Sequence, residues 1–177
     1  MIFDKGGTIM QVRWFSTVAF VLLASTATAV AQTPDRLGVY KDWTAYSYAD
    51  SRGKVCYVAS QPKDVEPKNV NRGPIFFMVS TRPAEKVRNE ASVLVGYPLK
   101  QDSKVSVDID GKTFTMFTKE DGAWVENVAE ESILVEALKA GAKMVVKGTS
   151  RRGTNTVDYY SLSGISLALD SIAKACP

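Results

Sequence analysis

The sequence contains two cysteines, Cys56 and Cys176, and no others. Nothing else in it restricts the fold as sharply. A bridge between them would return the next-to-last residue to an element near the start, which a string of independent units could not do. Closing a loop of roughly 120 residues contributes at most about 4–5 kcal/mol on the chain-entropy account. The competing readings are two buried free thiols, or a metal held by two cysteines in a chain that has no histidine. An even pair favours the bridge wherever the compartment is oxidising, so the question turns to the N-terminus.

Lys5 and Arg13 precede an apolar run from Trp14 through Ala24, and the segment closes on A-T-A-V-A, Ala27 to Ala31. Small residues at Ala29 and Ala31 fit the pattern that signal peptidase accepts. Residues 1–31 therefore read as a signal peptide cleaved before Gln32, with Met10 as an alternative start. The run is shorter than the about 20 residues of a permanent span, and no later segment is apolar enough. The expectation is a chain exported to the periplasm or the outer surface, with no transmembrane segment after cleavage. Lys and Arg number 22 against 19 Asp and Glu. Cleavage would remove Lys5, Arg13 and Asp4 and leave the balance near neutral, unlike the basic footprint of a nucleic-acid binder.

Residues 32–41 hold a proline, a glycine and charges, and read as a flexible leader. From residue 42 to 177 short strands dominate. W-T-A-Y-S-Y sets Trp43, Ala45 and Ser47 against Thr44, Tyr46 and Tyr48, and K-V-C-Y-V-A-S sets Cys56 and Val58 against Val55 and Tyr57. A connection containing Pro62, Pro67 and Pro74 follows, whose prolines deny a ladder its donors. I-F-F-M-V-S-T, Ile75 to Thr81, is apolar enough for a central strand buried on both faces. In A-S-V-L-V-G-Y-P-L, Gly96 is a candidate bulge. K-V-S-V-D-I-D-G-K-T-F-T-M-F is a hairpin turning at Asp110-Gly111, with Val105, Val107 and Ile109 inward, and Trp124 lies on another short strand. Asn127 caps a helix with Glu130 at the reciprocal position, an apolar stripe at Ile133, Leu134, Ala137 and Leu138, and Gly141 at its end. A second helix starts from Ser163 as its cap and buries Ile165, Ala168, Leu169 and Ile172.

The polar stretch S-R-R-G-T-N-T-V-D-Y-Y-S-L-S-G, Ser150 to Gly164, reads as a turn at Gly153 and a return strand, with Arg151 and Arg152 at the exposed tip. Asp158 and Tyr160 share one face of that strand.

Chemistry finds little support. Without histidine, Ser-His-Asp and Cys-His arrangements are excluded. S-R-G-K and S-I-A-K match S-x-x-K at Ser51 and Ser171, but no S-D-N or K-T-G partner accompanies them. Lys147-Gly148-Thr149 has the wrong order for a phosphate loop. Asp108 with Asp110, and Glu130 with Glu131, are explained by a solvated strand face and a helix first turn. No catalytic, cofactor-binding or metal-binding residue is assigned. Basic residues recur at Arg72, Arg82, Lys86, Arg88, Lys143, Lys147, Arg151 and Arg152. Of these, Arg151, Arg152, Lys143 and Lys147 are the candidates for a surface interaction, where an acidic glycan or lipid headgroup could dock.

The order of W-T-A-Y-S-Y, K-V-C-Y-V-A-S-Q-P, V-G-Y-P-L, V-D-I-D-G-K-T-F, G-A-W-V, A-L-K-A-G-A-K-M-V-V-K-G-T-S and D-Y-Y-S-L-S-G-I-S-L-A-L resembles the invasion-associated locus B family of exported bacterial proteins. The resemblance implies a mainly β, single-domain immunoglobulin-like β-sandwich over residues 42–177, with two short α-helices. It implies a place in the periplasm or at the outer surface, and it carries over no catalytic residues. Relatives carry further cysteines where this chain has Tyr46 or Ser47 and the Ala123–Trp124 region, so no cysteine-based site carries over. The expected function is a non-enzymatic binding module with an envelope or host-surface partner. Two rivals remain: a small hydrolase, which needs a convergent cleft with buried Asp108 or Ser171, and a chaperone-like subunit pairing through an exposed edge strand.

Overall fold

Alternation of period two is realised as eleven strands in the computed structural model, which describes residues 33–177; the expected signal peptide lies outside the described residues. In chain order they are β1 (Asp35–Tyr40), β2 (Trp43–Asp50), β3 (Gly53–Ser60), β4 (Asp64–Glu66), β5 (Phe76–Arg82), β6 (Val87–Leu94), β7 (Lys104–Ile109), β8 (Lys112–Lys119), β9 (Gly122–Trp124), β10 (Lys143–Thr149) and β11 (Asn155–Ser161). Helix α1 (Val128–Ala140) lies between β9 and β10, and α2 (Ile165–Ala175) follows β11.

All pairings are antiparallel, and the strands run β1-β2-β3-β5-β6-β9-β8-β7-β10-β11-β4 in one hydrogen-bonded sheet. The sheet closes over its own inner face. Phe77 of β5 meets Tyr160 of β11 edge-on at 6.2 Å, although five strands separate them in the sheet order. The layers of the expected sandwich are thus parts of a single folded sheet around a common core. The mainly β, two-helix architecture is as expected.

Local chemistry explains most elements. Asp110 (φ 47°) and Gly111 (φ 93°) form the two-residue turn that pairs Ile109 with Lys112, since mirror-image turns match the strand twist. The Asp110 carboxylate also accepts from the N–H groups of Ala142 (2.7 Å) and Lys143 (3.1 Å), tying this turn to the start of β10. Asn127 Oδ1 accepts from Glu130 N at 2.9 Å and caps α1. Val128 and Ile133 of α1 remain exposed while Leu134, Val135 and Leu138 are buried, so the stripe sits one position later than Ile133 suggested.

Four other expectations need correcting. The supposed flexible leader, residues 32–41, contains β1, which pairs with β2 from Asp35 opposite Ser47 to Tyr40 opposite Trp43. A register shift at Arg36–Gly38 breaks its alternation, which hid the strand in the sequence. β5 is central, but only Phe77, Val79 and Thr81 are buried, while Phe76, Met78 and Ser80 on the other face are partly exposed. Gly96 (φ 73°) is no bulge. It is a close-approach point, where Gly73 N donates to Gly96 O at 2.8 Å and an added Cβ would strike the Gly73 backbone. The cap of α2 is Gly164 (φ 96°), not Ser163, and a side chain there would collide with the Tyr40 carbonyl.

Helix α2 buries Ile165, Ala168, Leu169 and Ile172 against β1, β2 and β3. Cys176 at its end is bonded to Cys56 of β3, with their Cα atoms 6.1 Å apart. Trp43 Nε1 donates to Ser161 O (3.0 Å) and Asp42 N to Ser163 O (3.2 Å), so the start and end of the domain are held together by polar bonds as well.

Candidate functional site: a basic cavity at the β10–β11 turn

The four basic candidates do not form one cluster. Lys143 and Lys147 project from the exposed side of β10, about 13 Å apart along the strand at the usual rise. Arg151 and Arg152 lie beyond its end in the turn, where both are exposed. None of the four has an ion-pair partner among the described residues. Arg82, by contrast, is paired with Glu90 (2.8 Å) and Glu85 (2.9 Å).

The turn is pinned from several sides. Ser150 N donates to Thr154 O (2.9 Å), Thr154 N donates to Ser150 Oγ (3.1 Å), and Gly153 (φ 87°) donates to Ser150 O (2.8 Å). Arg151 N donates to Pro98 O at 2.8 Å, and Lys100 N to Thr149 O at 2.9 Å, fastening the turn to the segment after β6. A half-enclosed cavity of about 430 Å³ opens between these parts, bounded by Arg72, Tyr97, Pro98, Arg151, Arg152 and Thr156. Its lining contains three arginines and no carboxylate. A neighbouring cleft of about 710 Å³ shares Gly96, Tyr97, Pro98 and Arg151 with it, but has Asp102, Glu120 and Asp121 in its wall.

Arg72 forms the inner wall, although the sequence marks it only as one of several recurring basic residues. Its Nη1 and Nη2 donate to the two Asp158 oxygens at 2.6 and 2.7 Å, and Nε and Nη2 donate to Val95 O at 3.1 and 2.8 Å. The Arg72 and Asp158 side chains are only 5% and 1% exposed. The Tyr97 ring lies 5.0 Å from the guanidinium carbon, and the Tyr97 and Thr156 hydroxyls are hydrogen-bonded at 2.5 Å. Burial raises the Tyr97 hydroxyl above its ordinary pKa. The Gly73–Gly96 approach brings the loop carrying Arg72 down onto the segment after β6. One signal was available: Asp158 shares a strand face with Tyr160, and an acid on an inward face needs a cation. Tyr160 itself is buried, its hydroxyl has no partner among the described residues, and burial raises its pKa strongly.

The positions that a hydrolase would use lie elsewhere. Asp108 accepts from Gly111 N and the Thr113 hydroxyl, both at 3.1 Å, and so stabilises its own turn. Ser171 and Lys174 border a shallow depression on α2 and are not buried. The edge strand β1 leaves Leu37 and Val39 exposed.

These features define a disulfide-closed, mainly β domain with antiparallel strands and a basic loop cavity, and no helix among the described residues is long and apolar enough to cross a membrane. The sequence profile of the invasion associated locus B (IalB) proteins matches residues 43–173, and the chain belongs to that family. The crystal structure of invasion associated protein B from Bartonella henselae has the same fold. It is 16% identical, with a TM-score of 0.54 over 81% of this chain and 99% of that one. No curated protein matches the chain.

Proposed function

We propose that this protein is an exported, non-enzymatic binding module of the bacterial envelope or surface, which engages its partner through the β10–β11 turn. The observation that carries the reading is the pair of exposed arginines, Arg151 and Arg152, without carboxylate partners among the described residues, on a turn fixed at both ends. Unpaired guanidinium groups on a rigid loop are well suited to capturing an anionic surface. The Cys56–Cys176 bond and the N-terminal charge-apolar-small pattern support export. The family name links its members to invasion, and we extend to this chain only an envelope or host-contact role.

The test is capture from envelope extracts with the exported chain and with Arg151→Gln/Arg152→Gln. A component retained by the wild type and lost from the variant is the expected result. Recovery of nothing beyond a mock control would count against the reading.

A further inference from the structure

We propose that the cavity enclosed by Arg72, Tyr97 and the β10–β11 turn binds an anionic saccharide, with its acidic group between Arg151 and Arg152 and its ring hydroxyls on the polar wall. This rests on the reading of the turn as the binding surface and names the ligand class. Charge selects the sign of the ligand. Of the three guanidinium groups, Arg72 is compensated by Asp158 behind it, which leaves the two outer cations unbalanced in a lining free of carboxylates. The neighbouring cleft sets Asp102, Glu120 and Asp121 against Lys100 and Arg151 in its wall, a more acidic border that favours an anion on this side instead.

Size and wall chemistry select the rest of the ligand. A volume of about 430 Å³ is several times that of a bare oxyanion and lies in the range of small-molecule sites. The polar wall is neutral and amphoteric. The Asn71 amide and the Thr154 hydroxyl have no hydrogen-bond partner among the described residues, and Ser150 Oγ is bonded only as an acceptor. Such groups both donate and accept, as a polyol requires. An apolar ligand would leave them unpaired. The site is also preorganised, because the bonds from Arg151 N to Pro98 O and from Lys100 N to Thr149 O fix the backbone that carries both arginines.

The experiment is calorimetric and NMR titration of the exported chain with glucose 1-phosphate, glucuronate, inorganic phosphate and glucose, at low and raised salt. The two sugar acids distinguish a phosphorylated from a uronic ligand. At least one should bind, with shifts centred on residues 150–156 and 71–72, and raised salt should weaken it. Arg151→Gln/Arg152→Gln should reduce its affinity by about tenfold or more, as loss of paired charge-assisted contacts implies. Thr154→Val should weaken the sugar acid but leave inorganic phosphate unchanged. Both substitutions are at exposed positions, and an unchanged melting temperature would confirm intact folding. The proposal is overturned if neither sugar acid binds more tightly than inorganic phosphate, or if binding survives the double substitution. A captured envelope component that depends on Arg151 and Arg152, yet is not displaced by either sugar acid, would sink the saccharide assignment while leaving the binding-module reading standing. Sugar-acid binding at these arginines without any captured component would do the reverse.

Discussion

Asp158 and Arg72 are separated by 86 residues, and together they place two opposite charges inside a sheet protein. Water is replaced by two short charge-assisted bonds and by the Val95 carbonyl, so neither charge is orphaned. The pair is better viewed as fixing the 70–74 loop than as a source of net stability, because desolvation offsets much of the attraction. Removing one partner is another matter. Asp158→Leu should cost about 3–5 kcal/mol in denaturant unfolding, since it leaves the guanidinium buried and uncompensated. The double change Asp158→Leu/Arg72→Met should recover much of that loss, and a double variant no better than the single would contradict this account. Glu131 offers a second test at the same scale. Its Oε1 accepts from Ala91 N at 2.7 Å, but burial first, with repulsion from Glu90, raises its carboxyl above the ordinary value of 4.5. The folded state therefore holds that proton more tightly than the unfolded chain. This contribution is present below 4.5 and is lost as pH rises through the folded value. Glu131→Gln keeps the acceptor and should flatten this part of the stability profile, measured by urea unfolding on either side of that pH. Neither contact was legible in the sequence. Asp158 could be placed on an inward face, but nothing local names a cation on a proline-rich loop as its partner, and Glu131 looked like an ordinary first-turn acid.

At the scale of elements, legibility follows the range of the interactions that decide each one. The β7–β8 hairpin and the α1 cap depend on residues within a few positions of one another, and Asp110-Gly111 and Asn127 announced both. β1 depends on its neighbour: D-R-L-G-V-Y has no clean alternation, and it is a strand because β2 offers an open edge. The start of α2 is also a tertiary matter. Gly164 has φ 96° and sits against the Tyr40 carbonyl, so both backbone conformation and space require glycine. Gly164→Ala should destabilise by more than about 1–3 kcal/mol, the cost of a side chain forced into left-handed backbone, because its Cβ would also strike the Tyr40 carbonyl. Thermal denaturation would measure it, and hydrogen exchange should show the first turn of α2 losing protection before the sheet. Gly153→Ala is the matched control, because its φ is 87° but nothing lies within contact of an added Cβ. A similar loss at both positions would assign the effect to φ alone.

For the whole molecule, the two cysteines gave a true constraint, while the strand order gave no sign of itself. β6 pairs with β9 and β7 with β10, and those joins make one sheet out of what alternation alone presents as separate hairpins. The disulfide acts across this arrangement rather than within any part of it. It links β3 to the end of α2 over 120 positions, so every intervening strand lies inside the covalent loop. In the unfolded chain the same bond stops the two ends of that segment from separating, an effect of at most about 4–5 kcal/mol on the entropic account. Cys56→Ser/Cys176→Ser should lower stability toward that limit, with α2 the first element to lose amide protection. If the chain is exported as proposed, formation of the bond should depend on compartment. A chain lacking residues 1–31 and kept in a reducing cytosol should carry two free thiols and the lower stability. The exported chain should carry none, and oxidation of the purified cytosolic form should restore the difference. Mass measurement after thiol alkylation reads each state directly. Two free thiols in freshly exported protein would separate the covalent loop from export and remove the bond as support for an envelope location.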